Sequence, residues 1–135
     1  MSQYRPLTEK NKYYIPKEDY LTAVHYSLRY PLWQAEIKDA RDTATAIRYD
    51  KDKVQTSPNG DLIFNAAVRA GELQNKVDLI DGIINDVAEG LDHYLLLGVC
   101  YGLTFEQLKN KDMPCERDMY YRIRRRYYYE LSRLI

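Results

Sequence analysis

Cysteine is nearly absent from this chain of 135 residues: only Cys100 and Cys115 occur, so no disulfide framework can hold the fold, and a reducing cytoplasm is the expected setting. Long apolar runs are missing as well. The longest, Tyr94 to Leu97 continuing past Gly98 to Tyr101, falls far short of the ~18–20 residues that cross a bilayer, and no membrane partner is expected. The opening segment, Met1 to Lys17, is polar and lacks the apolar stretch of a secretory signal. Net charge is absent, since 20 Lys and Arg offset 20 Asp and Glu. Strand-like alternation and internal repeats are lacking too. With 45% hydrophobic and 30% charged residues the chain can bury a core, which excludes wholesale disorder and fits one domain.

What is present in excess is tyrosine, 14 residues against two Phe and one Trp. Tyrosine packs with its ring and hydrogen-bonds with its hydroxyl, so it serves a half-wet core as readily as a nucleic-acid face. The zero net charge conceals a gradient. Residues 57–98 carry seven acidic side chains against Arg69 and Lys76, whereas residues 116–135 carry six arginines against Glu116, Asp118 and Glu130. A polyanion would meet the second region.

Helical periodicity runs through the chain. Pro16 opens a helix expected over residues 17–30, with Glu18 and Asp19 opposing the dipole in the first turn and Leu21, Val24 and Leu28 at helical spacing. Pro31 must interrupt it and can open a second helix, residues 31–47, in which Trp33, Ile37, Ala40, Ala44 and Ile47 share a face. Trp33 is expected to be buried. The segment Arg48 to Asp61 has turn formers and no period, so a loop is expected there. Beyond it Ala66, Ala70, Leu73, Val77, Ile80, Ile84 and Val87 repeat at steps of four and three on a helix of residues 62–88. That stripe suits either a coiled-coil homodimer or packing inside the chain; Gly71 and Gly82 weaken an isolated helix and favour the second.

Gly90 ends the long helix, and Asp92 reads as the N-cap of a short apolar helix, residues 92–101, with Gly102 at its C′ position. Thr104 and Gln107 form a capping box that starts a helix at 105–110. Pro114 then reads as the first residue of the last helix, residues 115–134, with Met119, Ile123, Tyr127, Leu131 and Leu134 as its buried face. Tyr129 is expected exposed and Tyr128 intermediate. The fold class is therefore all-α with about six helices: a tail over 1–16, a helical scaffold over 17–91, and a C-terminal helix-turn-helix over 92–135.

The segment Gly102-Leu-Thr-Phe-Glu-Gln-Leu through Met113-Pro-Cys-Glu-Arg-Asp-Met-Tyr to the Arg/Tyr-rich tail resembles the DNA-binding end of bacterial sigma factors and sigma-like phage regulators. Together with residues 28–37 and 67–84 it is similar to small proteins of phages and mobile elements of Firmicutes, related to late transcriptional regulators of the RinA and ArpU type. The resemblance implies a sequence-specific, non-enzymatic regulator in a bacterial cytoplasm that binds double-stranded DNA, with RNA polymerase or a second protomer as further partners. Two positions depart from that pattern: Met113 stands where the turn often has Gly, and Lys109 where the first helix has a small residue.

On this reading Arg117, Tyr121 and Arg122, in the first turns of the last helix, face base edges, and Arg124 and Arg125 meet phosphates, with Thr104 and Lys109 on the preceding helix beside the backbone. The rival is a protein-interaction module on the same fold, such as an inhibitor of a host defence or polymerase component, using the acidic long helix. Chemistry of other kinds finds little support. Cys115 at a helix start, close to Arg117, favours a thiolate, but no base or oxyanion site accompanies it. His25 and His93 lack partners at metal-ligand spacing, Ser57-Pro-Asn-Gly60 lacks the Lys of a phosphate loop, and neither cofactor nor metal is expected.

Overall fold

The computed structural model describes the backbone of residues 11–49 and 57–135, and side chains within 11–46 and 60–135. Among the described residues six helices follow one another: α1 (Lys17–Leu28), α2 (Tyr30–Tyr49), α3 (Ser57–Val87), α4 (Asp92–Cys100), α5 (Phe105–Lys109) and α6 (Arg117–Ser132). No strand occurs among the described residues, so the fold is all-helical. The expected loop lies partly outside them, as does most of the N-terminal tail and the side chain of Ile47.

The chain divides into two compact units, Pro31–Leu79 and Met1–Tyr30 with Ile80–Ile135. The break between α1 and α2 falls where proline demands it. Pro31 has no N–H to continue α1 but loses nothing in the first turn of α2. In the Pro31–Leu79 unit, Trp33 and Ile37 of α2 are buried one turn apart, Ala40 and Ala44 half-buried after them, and Leu73 and Val77 of α3 are buried. The Lys76 ammonium lies 5.4 Å from the Trp33 ring centre, and Glu36 pairs with Arg69 at 3.3 Å on the surface. Ser57 begins α3 five residues earlier than the periodicity predicts. The sequence Ser57-Pro58, a turn signal on its face, is a helix start here, because a first-turn proline gives up no hydrogen bond.

The other unit gathers α1, the end of α3, and α4 to α6. Ile80, Ile83, Ile84, Val87 and Ala88 are buried in it. The long stripe is therefore internal core from Leu73 onward, while Ala66 and Ala70 are only half-buried. On α1 the buried residues are Tyr20, Ala23 and Ser27; Leu21 and Val24 are half-buried and Leu28 is exposed. The expected leucine stripe loses to a row of small residues, because α6 brings bulky tyrosines against it. Tyr127 reaches Ser27 (hydroxyl oxygens 2.8 Å apart), and Tyr128 meets the edge of Tyr20 with centroids 5.2 Å apart. Ser27 already donates its one proton to the Ala23 carbonyl at 2.9 Å, so Tyr127 is the donor.

Several expected boundaries shift. Leu91, not Asp92, is the N-cap of α4, and Asp92 stands in the first turn, where its charge still opposes the dipole. Pro114 and Cys115 lie in the connection before α6, whose N-cap is Glu116. Leu134 is 59% exposed because α6 ends at Ser132. Tyr128 is buried rather than intermediate and Tyr129 half-buried rather than exposed, the latter beneath Tyr13 at 5.3 Å. Burying two consecutive residues of one helix requires partners on two sides. Tyr120, Ile123, Tyr127 and Leu131 form the inner face of α6, and Tyr20 supplies the further wall at Tyr128.

Candidate nucleic-acid interface

Three short-range devices deliver α6. The first is the capping box at the start of α5: Thr104 Oγ1 accepts from the Gln107 N–H at 3.2 Å, and Gln107 Oε1 accepts from the Thr104 N–H at 2.8 Å. The chain reaches it through Gly102, at φ +73°, after Leu103 N–H has turned back to the Leu97 carbonyl.

The second device is the exit from α5. Asp112 takes φ +66°, its N–H bonds the Lys109 carbonyl and the Met113 N–H bonds that of Leu108. This is a Schellman turn, completed by its usual apolar contact position: Met113 and Leu108 are both fully buried. The left-handed residue is thus Asp112 and not Met113, which stands where the sigma-like pattern often has Gly, and methionine is wanted at its own position for its bulk. Asp tolerates this conformation better than most residues. Side chains then pin the turn. Lys109 Nζ donates to the Met113 and Cys115 carbonyls at 3.0 and 3.1 Å, and the Tyr94 hydroxyl approaches the Lys111 and Asp112 carbonyls at 3.2 and 3.3 Å.

The third device is a seat for Tyr120 at Gly98 of α4. A Cβ at residue 98 would overlap the Tyr120 hydroxyl oxygen, so only glycine leaves room for the phenol in this position. Burial there pushes the Tyr120 phenol up to about 12.

On the far side of α6 from this core run Asp118, Arg122, Arg125 and Tyr129 at helical spacing, with Tyr121 and Arg124 along one edge and Arg126 along the other. The arginines differ in what already holds them. Arg117 donates to Glu106 of α5 at 2.6 Å and lies 4.6 Å from the Phe105 ring centre. The hydrogen bond from Arg117 holds the Glu106 carboxyl below its usual range. Arg122 pairs at 3.3 Å with Glu89, in the turn after α3 where Glu89 and Gly90 both have positive φ. Arg124 pairs with no carboxylate among the described residues; it stacks on Tyr121 at 4.6 Å and approaches Tyr128 at 6.0 Å. Arg125 and Arg126 make no ion pair or ring contact among the described residues.

The expected site residues therefore separate. Arg117, Tyr121, Arg122, Arg124 and Arg125 share the outward part of α6. Thr104 and Lys109 are committed to shaping α5 and its exit. Sequence reasoning missed Glu106 and Glu89 as partners of the leading arginines; the acid in the first turn of a capped helix just before a basic one was the available signal for Glu106. It also missed the Gly98–Tyr120 seat, for which a lone glycine inside an apolar helix was the signal.

The thiols do not support nucleophilic chemistry. Burial raises both, Cys100 with help from Asp81 and Cys115 against the pull of Lys109. Cys115 precedes α6 rather than starting it, so the thiolate expected at a helix start is not favoured. Among the described residues no group of three His, Cys, Asp or Glu is placed to hold a metal ion, and no helix is long and apolar enough to cross a membrane. A depression of about 350 Å³ is lined by Asp81, Ile84, Asn85, Asp92, His93 and Leu96, and Asp81 there accepts the Tyr30 hydroxyl at 2.8 Å. No protein family, curated protein or solved structure matches this chain.

Proposed function

We propose that the chain is a non-enzymatic regulator that binds double-stranded DNA, with α4, α5 and α6 acting as a helix-turn-helix of the kind found in sigma-like phage regulators. The observation that carries this reading is the construction of α5 and α6. A capped short helix and a pinned turn present a longer helix whose inner face is closed and whose outer face is arginine and tyrosine. A helix that enters the major groove needs such a face, with its first turns toward base edges and cations on the flanks toward phosphates. Arg117, Tyr121 and Arg122 supply the first, Arg124 and Arg125 the second; Thr104 and Lys109 act through the shape of the turn. RNA polymerase or a second protomer would engage the remaining helical surface.

Selection of bound duplexes from a random pool tests the proposal. Enrichment of a defined sequence is the expected result, and a protein that enriches none and binds no duplex at low salt overturns it. Arg117→Ala or Arg122→Ala is expected to relax the enriched sequence by about 1–3 kcal/mol at a base position, and Arg125→Ala to weaken all sequences alike.

The rival interaction module draws support from one feature. Leu62, Phe64 and Val68 of α3 are large, apolar and exposed, Phe64 by 67%. Failure of duplex binding would move attention to that surface.

A further inference from the structure

The five arginines of α6 are not equivalent charges. Glu106 and Glu89, each from an element that precedes α6, hold Arg117 and Arg122 at 2.6 and 3.3 Å. Each pair is neutral as seen by an approaching anion. A phosphate drawn to Arg117 must also approach the Glu106 carboxylate, and the same holds for Arg122 and Glu89. A neutral pair neutralises no phosphate, so it displaces few of the cations condensed on a nucleic acid when it docks.

The next three positions are different. Arg124 is half-buried between the rings of Tyr121 and Tyr128, which fix its plane while leaving its N–H groups without a carboxylate among the described residues. Arg125 and Arg126 follow, likewise without ion pairs among the described residues. Successive helical residues turn by about 100°, so the three guanidiniums leave α6 on three sides. One cation on each edge and one on the outward face is what a rod lying between two anionic walls requires.

We infer that the polyanion-binding charge of α6 resides in Arg124, Arg125 and Arg126, and that Glu106 and Glu89 are electrostatic gates that cancel Arg117 and Arg122 until they are displaced. This rests on the duplex-binding reading in naming nucleic-acid phosphate as the ligand. It also corrects the simplest reading of α6, in which all five of its arginines attract anions alike.

The experiment measures the salt dependence of binding to a mixed-sequence DNA duplex, and in parallel the salt needed to elute the protein from heparin. The full chain is used throughout, with folding checked by circular dichroism. Glu106→Gln and Glu89→Gln are each expected to tighten duplex binding at low salt by up to about fivefold. Each should steepen the logarithmic salt slope by about 0.9 and delay elution. Arg124→Ala, Arg125→Ala and Arg126→Ala should each make the slope shallower by about that amount. The double change Arg117→Ala with Glu106→Ala should leave it unaltered, because a neutral pair has been removed.

The inference is overturned if the two glutamine variants leave both slope and elution unchanged. It also falls if removing the Arg117–Glu106 pair flattens the slope as much as Arg124→Ala, or if the wild-type chain binds neither probe. Should heparin elution shift as stated while no duplex is bound, the gates and the arginine triad stand for a different polyanion, and the regulator reading alone fails.

Discussion

The two compact units solve the same problem, closing an all-helical core, with different side chains. The Pro31–Leu79 unit relies on one indole and a few aliphatics: Trp33 and Ile37 on α2, Leu73 and Val77 on α3. The other unit adds phenols to its aliphatics. Tyr20, Tyr30, Tyr120, Tyr127 and Tyr128 are all buried there, and each brings a hydroxyl that has to be accommodated. An aliphatic stripe slides and tolerates approximate fit, whereas a buried phenol fixes both the ring and the atom its oxygen meets. Stability in the first unit should therefore depend on volume, and in the second on hydrogen bonds and close approach.

Volume loss gives the largest expected effect. Trp33→Ala should destabilise its unit by about 3–5 kcal/mol in urea unfolding, with native tryptophan fluorescence of the parent reporting a buried indole. A solvent-like emission in the native parent would refute that placement. Next comes close approach: Gly98→Ala sets a methyl against the Tyr120 hydroxyl and should cost about 1–3 kcal/mol, with Tyr120→Phe in the same chain restoring part of the loss. If Gly98→Ala is silent, the seat is not as tight as described.

Hydrogen-bond loss should have a similar or smaller effect. Ser27→Ala strips the buried Tyr127 hydroxyl of its acceptor and should cost about 1–3 kcal/mol, more than Tyr127→Phe, which leaves Ser27 still donating to Ala23. Equal losses would contradict the direction assigned to that bond. The smallest effect belongs to the surface. The Glu106 carboxyl is lowered in the folded state, so its pairing favours folding above the unfolded value of about 4.3 and is lost as pH falls through the folded one. The melting temperatures of wild type and Glu106→Gln should accordingly differ at neutral pH and converge in acid. A difference that persists in acid would assign it to packing.

The same contrast explains what could be read from the sequence. The stripe from Leu73 to Val87, the break at Pro31, the capping box at Thr104 and the buried Trp33 follow from local rules of spacing and backbone chemistry, and all are present. The face of α1 was misjudged because periodicity favours leucines, whereas the tyrosines of α6 select Ala23 and Ser27 for their small size. Met113 in place of the usual Gly showed that the exit from α5 departs from the sigma-like pattern, but not how: Asp112 and Met113 divide between them the conformation and the bulk that a Schellman turn needs. At the candidate interface the outward arginines were legible from helical phase. Their partners Glu106 and Glu89 were not, because the pairs cross from one element to another.

The bond between Ser27 and Tyr127 joins residues a hundred positions apart. At a synthesis rate of roughly 5–20 residues per second, α1 emerges on the order of 5–20 seconds before its principal partner exists. Throughout that interval its inner face offers a growing chain only Tyr20, Ala23 and Ser27, with no leucine among them. A face with so little aliphatic surface is a poor target for premature association, and it gains its full value only when the tyrosines of α6 arrive.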